Sequence, residues 1–332
     1  MNSHKKQILV TFDPQQEGRL LLQKLWGDAA EIVFLNDVPE EGRREAVSGA
    51  DVLFSWNFPH ELRAGEYSLL KKDNLLIQLI SAGADHVPFA QLPPQITVAS
   101  NVGAFAGQMA EHVLAMTLAL AKRLLPEHMK LKQGDFDQRN PTRALKGKVC
   151  GILGFGGIGR ASARLMRGLD MKIYAMNRSG ETGEAVEFIG TMEDLHKILE
   201  SADVLVISLP LNRHTRGLID REALQRMKPD AILVNVARGH IIDEKALYEH
   251  LKTHRDFLAG IDAWWVEPFS EGEFRLDYPF LDLPNVIGSP HNSAIVPDAI
   301  AGAVRQAAEN VSRYLKGASL KGIVKREDYI SG

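Results

Sequence analysis

Short runs of Ile, Val, Leu and Phe recur along the chain, and the segments between them place apolar residues at helical spacing. A first series of runs reads QILVTF (7–12), EIVFLN (31–36), DVLFSW (51–56), LLIQLISAG (75–83) and ITVAS (96–100). A second reads KVCGILG (148–154), KIYAMN (172–177), DVLVISLP (203–210), AILVNVARG (231–239), FLAGIDAW (257–264) and NVIGSP (285–290). Near-continuous apolar runs of this length suit strands covered on both faces. Within the second series GRASARLMRGLD, MEDLHKILE and DEKALYEHLKT have amphipathic helical periodicity. Alternating strand and helix predicts right-handed crossovers and a parallel, doubly wound sheet. Two series separated by a long helical stretch, 107–131, predict two α/β domains. The helical segment PDAIAGAVRQAAENVSRYLKG (297–317), after the last strand, is free to return to the first domain and make it discontinuous.

Composition narrows the function classes. A chain of 332 residues exceeds one typical domain, and a formal net charge of −3 gives no electrostatic case for nucleic acid or anionic membrane. One cysteine excludes an intrachain disulfide framework, and Cys150 inside an apolar strand reads as inert packing. The apolar run after Lys5 and Lys6 is too short for a signal peptide, and VLAMTLALA (113–121) is too short to span a bilayer. A cytoplasmic protein is expected.

Between KVCGIL and RASARLMRGL the chain reads Gly154-Phe155-Gly156-Gly157-Ile158-Gly159. In a G-x-G-x-x-G the first glycine permits a tight turn, the second lets backbone approach a pyrophosphate, and the third lets helix pack close to strand. The helix N-terminus then offers free N–H groups to phosphate. The motif alone also fits a structural turn; strand before and helix after favour a dinucleotide site. The following strand ends in Asn177-Arg178-Ser179 rather than in the acid that would accept from an NAD ribose. This is either a polar turn or a site for a 2′-phosphate, and with the glycine loop upstream it points to NADP, with NAD possible.

Ligands bind beyond the carboxyl ends of strands in such sheets. The second series delivers Pro210, Arg238, Asp262 and His291 to that edge. A lone Arg238 at a strand tip is better explained by a surface ion pair, but at this edge a planar guanidinium suits a substrate carboxylate. Glu267 lies near by in DAWWVEPF, and His291 follows an apolar strand and a proline. Of the remaining histidines, His112 reads as a helix-face packing residue, and His4, His128, His214 and His254 as surface groups. Trp56, Phe58, Phe105 and the Trp264–Trp265 pair are candidates for a substrate pocket or for simple core.

An Arg, a Glu and a His in this order with this glycine loop resemble the D-isomer specific 2-hydroxyacid dehydrogenase family. SAGADHV (81–87), AEHVLAMTLALAKR (110–123), GILGFGGIG (151–159), SLPLNRHTRGLID (208–220), NVARGHIIDEKAL (235–247), GIDAWWVEP (260–268) and LPNVIGSPH (283–291) carry the resemblance over nearly the whole chain. It implies a flavodoxin-like substrate domain from 1–102 and 294–332 and a Rossmann nucleotide-binding domain from 103–293. It also implies a homodimer built through the nucleotide domains and the helix near 110–125.

By the same resemblance Arg238 anchors the 2-oxo acid, and backbone N–H groups of Ala82 and Gly83 share its carboxylate. His291 donates the proton, and Glu267 hydrogen-bonds it and stabilises its protonated form. Phe155, Gly156, Gly157 and Ile158 cradle the pyrophosphate; Asn177, Arg178 and Ser179 meet the ribose. Leu209, Pro210, Thr215, Val236 and Ala237 line the dinucleotide, and Asp262 accepts from the nicotinamide carboxamide. No metal is expected. The implied reaction is reduction of a small 2-oxo acid of the glyoxylate or hydroxypyruvate kind to a D-2-hydroxy acid.

The chain departs from the family in lacking the acid at 177, in its paired tryptophans, and in PHNSA where isoleucine-alanine-glycine is commoner after the histidine. A formate- or phosphite-type oxidase is an alternative, although formate-type members carry glutamine where Glu267 stands. A non-catalytic dinucleotide-sensing protein is the other; it would keep the same three residues, and the absence of long tails or docking extensions speaks against it.

Overall fold

The computed structural model describes residues 5–330, so His4 lies outside the described residues. The chain divides into two compact units, one comprising Met1–Phe105 and Val296–Gly332, the other Ala106–Ile295.

In the first unit β1 (Lys6–Val10), β2 (Ala30–Phe34), β3 (Val52–Ser55), β4 (Leu76–Leu79) and β5 (Thr97–Ala99) form one sheet in the order β2-β1-β3-β4-β5. Every pairing is parallel. Three helices cross between strands: α1 (Gln15–Trp26), α2 (Glu40–Gly49) and the single turn α3 (Phe58–Glu61). Successive strand residues face opposite sides, so both faces need cover. Ile8, Val52 and Leu76 pack under Trp26 and the C-terminal helix, whereas Leu9, Leu53 and Ile77 pack on the other side with Val47. That C-terminal helix occupies Ala299–Leu315, and its Asn310 amide donates to Gln78 Oε1 of β4 at 2.7 Å. Trp26 Nε1 donates to the Ala308 carbonyl at 3.2 Å.

The second unit opens with α4 (Ala106–Ala121) and α5 (Leu124–Lys132). The stretch expected as one helix is therefore two, with Arg123 at φ 53° between them. Pro126 is the reason: in a continuous helix its ring would clash with the carbonyl four residues back, whereas the first turn of a new helix tolerates it.

Seven parallel strands follow: β6 (Val149–Leu153), β7 (Lys172–Met176), β8 (Phe188–Gly190), β9 (Val204–Ile207), β10 (Ile232–Asn235), β11 (Leu258–Ile261) and β12 (Val286–Gly288). Their order is β12-β11-β10-β9-β6-β7-β8, a doubly wound sheet that reverses direction between β6 and β9. Its short edge strand β8 is absent from the apolar pattern. Between the strands run α6 (Gly157–Arg167), α7 (Leu195–Ser201), α8 (Arg221–Arg226), α9 (Glu244–Thr253) and the turn α10 (Pro268–Glu271), which makes the C-terminal helix α11. Cys150 is fully buried in β6, and burial pushes its thiol up to about 12, so it is an inert core group. Among the described residues no helix is long and apolar enough to cross a membrane.

Candidate active site

Strand register sets the site. Leu153 pairs with Ile207, Ile207 with Asn235, Asn235 with Ile261 and Ile261 with Gly288, so five strands end level at one edge. The glycine loop, Pro210, Arg238, Asp262 and His291 all follow those ends directly.

The loop after β6 has the shape a dinucleotide pyrophosphate requires. Gly154 sits at φ 98°, and a Cβ on it would lie 2.7 Å from the Ser208 carbonyl oxygen. A Cβ on Gly159 would meet Gly154 O at 2.3 Å, so only glycine lets α6 pack this close to β6. At exposed Gly156, by contrast, a Cβ would meet nothing within 4 Å, leaving bare backbone beside open space at the helix N-terminus. This cradle fits the group.

Arg238 is presented by a buried amide. Asn235, the last residue of β10, is fully buried; its Oδ1 accepts from Ala237 N at 3.0 Å and its Nδ2 donates to Arg238 O at 3.0 Å. The guanidinium is half-buried and donates to Ala237 O at 2.8 Å. Glu267 and His291 come together although 24 positions apart: Glu267 Oε2 lies 2.6 Å from His291 Nδ1. The other carboxylate oxygen accepts from Trp264 N at 2.5 Å. With Nδ1 engaged, Nε2 is the ring nitrogen left for a proton exchanged with a ligand.

Residues 114–293 match the family model described as D-isomer specific 2-hydroxyacid dehydrogenase, NAD binding domain. The hydroxypyruvate reductase of Thermotoga maritima is 32% identical over 69% of this chain and 73% of its own length. The chain belongs to the D-isomer specific 2-hydroxyacid dehydrogenase family. A D-3-phosphoglycerate dehydrogenase of Methanocaldococcus jannaschii is 30% identical over 96% of this chain, but the chain spans only 59% of that relative. Among solved structures, a family protein from Aeromonas salmonicida aligns with a TM-score of 0.78 at 26% identity, covering 97% of this chain and 99% of the other. This chain is accordingly an NAD(P)-dependent oxidoreductase of the two-domain 2-hydroxyacid dehydrogenase fold.

Several residues expected to meet ligand in this dehydrogenase are also hydrogen-bonded within the chain. Asp262 is fully buried, and its carboxylate accepts from Ser289 Oγ at 2.5 Å, Asn292 N at 3.2 Å and Ser293 N at 3.3 Å. Buried carboxylates need such donors, so Asp262 holds the His291 loop. Thr215 is buried too; its hydroxyl donates to Pro210 O at 2.6 Å and accepts from Asn212 N at 2.9 Å, which shapes the loop after β9. Phe155 and Val236 are core side chains, which leaves only their backbone to face a ligand, and Ala237 is likewise buried.

Asn177 caps its own turn, Oδ1 accepting from Ser179 N at 3.0 Å and Gly180 N at 2.8 Å, while Arg178 and Ser179 beyond it are exposed. Gly157, Ile158 and Leu209 are half-buried, and Pro210 is exposed.

Ala82 and Gly83 follow β4 in the first unit, in a loop where Ser81 Oγ donates to Gly83 O at 2.8 Å. Of the aromatic pocket candidates, Phe58, Trp264 and Trp265 are core; Trp265 stacks on Phe280 with ring centres 5.2 Å apart. Trp56 and Phe105 are half-buried.

His112 is not a simple packing residue: its Nε2 lies 2.9 Å from Ser289 Oγ. Trp264, weighed as pocket or core, contributes its indole N–H to Ser289 O, and Asn235 and Ser289 are the contributors that sequence reasoning passed over. Only Asn235, a polar residue inside an apolar strand, carries a signal that could have marked it. His128, His214 and His254 are exposed.

Proposed function

We propose that this dehydrogenase reduces a small 2-oxo acid of the glyoxylate or hydroxypyruvate kind to the D-2-hydroxy acid, reversibly and with NADPH in preference to NADH. The observation that carries the reading is the Glu267–His291 hydrogen bond of 2.6 Å at the sheet edge that also presents Arg238 and the glycine cradle.

Arg238 holds the substrate carboxylate and polarises the neighbouring carbonyl, since a guanidinium offers parallel N–H donors in one plane. Backbone N–H groups of Ala82 and Gly83 act as further donors to the carboxylate. His291, protonated, gives its Nε2 proton to the carbonyl oxygen, and in the reverse direction takes it back. Glu267 keeps Nδ1 protonated and the ring aimed, and its charge offsets that of the imidazolium. NADPH, when bound at Gly156 and Gly157, supplies the hydride. The exposed Arg178 and Ser179 hold its 2′-phosphate, with no carboxylate at 177 to repel it.

We further propose that the working form is a homodimer. The described side chains of α5 are all at least partly exposed, Leu124, Leu125, Met129 and Leu131 among them, and Phe136 just beyond is 74% exposed.

The test is oxidation of NADPH by the purified protein against a panel of 2-oxo acids, wild type beside His291→Ala. Turnover with glyoxylate or hydroxypyruvate is expected, cut about 10²-fold or more by the substitution with cofactor affinity intact. Near-normal turnover in the variant would remove His291 from the chemistry, and no turnover by the wild type with any 2-oxo acid would remove the activity.

A further inference from the structure

Ser289 stands two residues before His291 and is fastened from two sides. Its carbonyl accepts from the indole Nε1 of Trp264 at 2.8 Å. Its hydroxyl lies 2.9 Å from His112 Nε2 and donates to the buried Asp262 carboxylate at 2.5 Å. The backbone N–H of the same Trp264 donates to Glu267 Oε1 at 2.5 Å. One residue thus holds both the loop that carries His291 and the carboxylate that His291 pairs with.

The fastening has something to resist. His291 sits at φ 50°, in the left-handed region that a side chain with a Cβ disfavours. Its N–H is tied to Asp262 O at 2.9 Å, and the next two backbone N–H groups reach the Asp262 carboxylate. The indole also determines its neighbour: a Cβ on Gly288 would lie 2.7 Å from Trp264 Cζ2, so the close approach of ring to strand β12 depends on glycine there. Phe274 meets the ring edge-on, centres 5.8 Å apart.

We propose that Trp264 is a positioning residue that sets the geometry of the His291–Glu267 pair, with Ser289 as the joint and His112 and Asp262 as its second fastening. The proposal rests on the proton-donor role of His291. Trp264 touches neither substrate nor cofactor in this reading; it acts through the distance between the imidazole and its carboxylate. That distance matters because misplacing a reacting group by an ångström slows the step without weakening binding.

The test pairs Trp264→Phe, which keeps an aromatic ring but removes the indole N–H, with Ser289→Ala, which removes the hydroxyl at little cost in volume. Each is expected to lower kcat about tenfold, with KM for the 2-oxo acid and Kd for NADPH within about twofold of wild type. In a His291→Ala background the same substitutions should lower the residual rate no further, because residues acting through one group are non-additive. Unchanged kcat in both single variants, or an equal further loss in the His291→Ala background, would overturn the proposal. So would KM and Kd rising in step with the fall in kcat. If Trp264→Phe yields no folded protein, Ser289→Ala and its double variant decide alone. Normal turnover by His291→Ala would instead strike at the proton-donor role itself.

Discussion

At the scale of single residues, Arg238 shows how a strand end becomes a binding group. The ladder stops at Asn235, and its side chain takes over as partner for the next backbone groups, so the turn that projects the guanidinium is rigid. Lysine at 238 would keep the charge and lose the planar fork. Arg238→Lys is expected to raise KM for 2-oxo acids and lower kcat, cutting kcat/KM by roughly ten- to a hundredfold, the worth of one charge-assisted hydrogen bond. Unaltered steady-state kinetics would return Arg238 to a surface role.

Asn177 makes a second residue-scale case. An aspartate there keeps the acceptors for Ser179 N and Gly180 N and adds the charge that repels a 2′-phosphate. Asn177→Asp should therefore reverse the preference for NADPH, and Arg178→Ala should erase most of it. The contact at stake is worth roughly 1.5–3 kcal/mol. Wild-type protein that binds NADH as tightly as NADPH would end the argument.

At the scale of elements, α9 carries a pH dependence. His250 stacks on His254 with ring centres 4.1 Å apart and meets Phe257 edge-on, and its Nε2 is buried without a hydrogen-bond partner. Burial first, and the neighbouring His254 second, hold its pKa down to about 4, against an ordinary 6.5. The unfolded chain therefore binds a proton that the folded one refuses, and stability falls as pH drops from about 6.5 toward 4. His250→Phe keeps a ring in place and should flatten that slope; urea midpoints measured at several pH values compare the two, and parallel slopes would refute the assignment.

Elements also differ in how plainly the chain announces them. Runs such as DVLVISLP and AILVNVARG are readable because burial on both faces leaves no polar position to interrupt them. β8, only three residues at a sheet edge, has no such pattern. The break before α5 was legible in principle, since Pro126 stands where a continuous helix cannot place it, but apolar periodicity on either side conceals it.

At the scale of the whole molecule, the exposed apolar side chains of α5 and Phe136 argue for a second copy. Light scattering after size exclusion should give twice the chain mass, and Leu125→Asp with Met129→Asp should shift it toward one chain; a monomeric wild type would dismiss the dimer. By itself the sequence determined the alternation of strands and helices, the glycine cradle, and the presence of Arg238, Glu267 and His291 near strand ends. These are properties of local spacing, and a parallel sheet converts spacing directly into position. Only the tertiary structure decided which polar side chains find partners within the chain. Asp262 and Thr215 are bonded within the chain because a polar atom enclosed by folding must find a partner, and Asn177 caps its own turn. Such partners can lie far along the sequence, as His112 does from Ser289 at a separation of 177 residues, and no local pattern contains them.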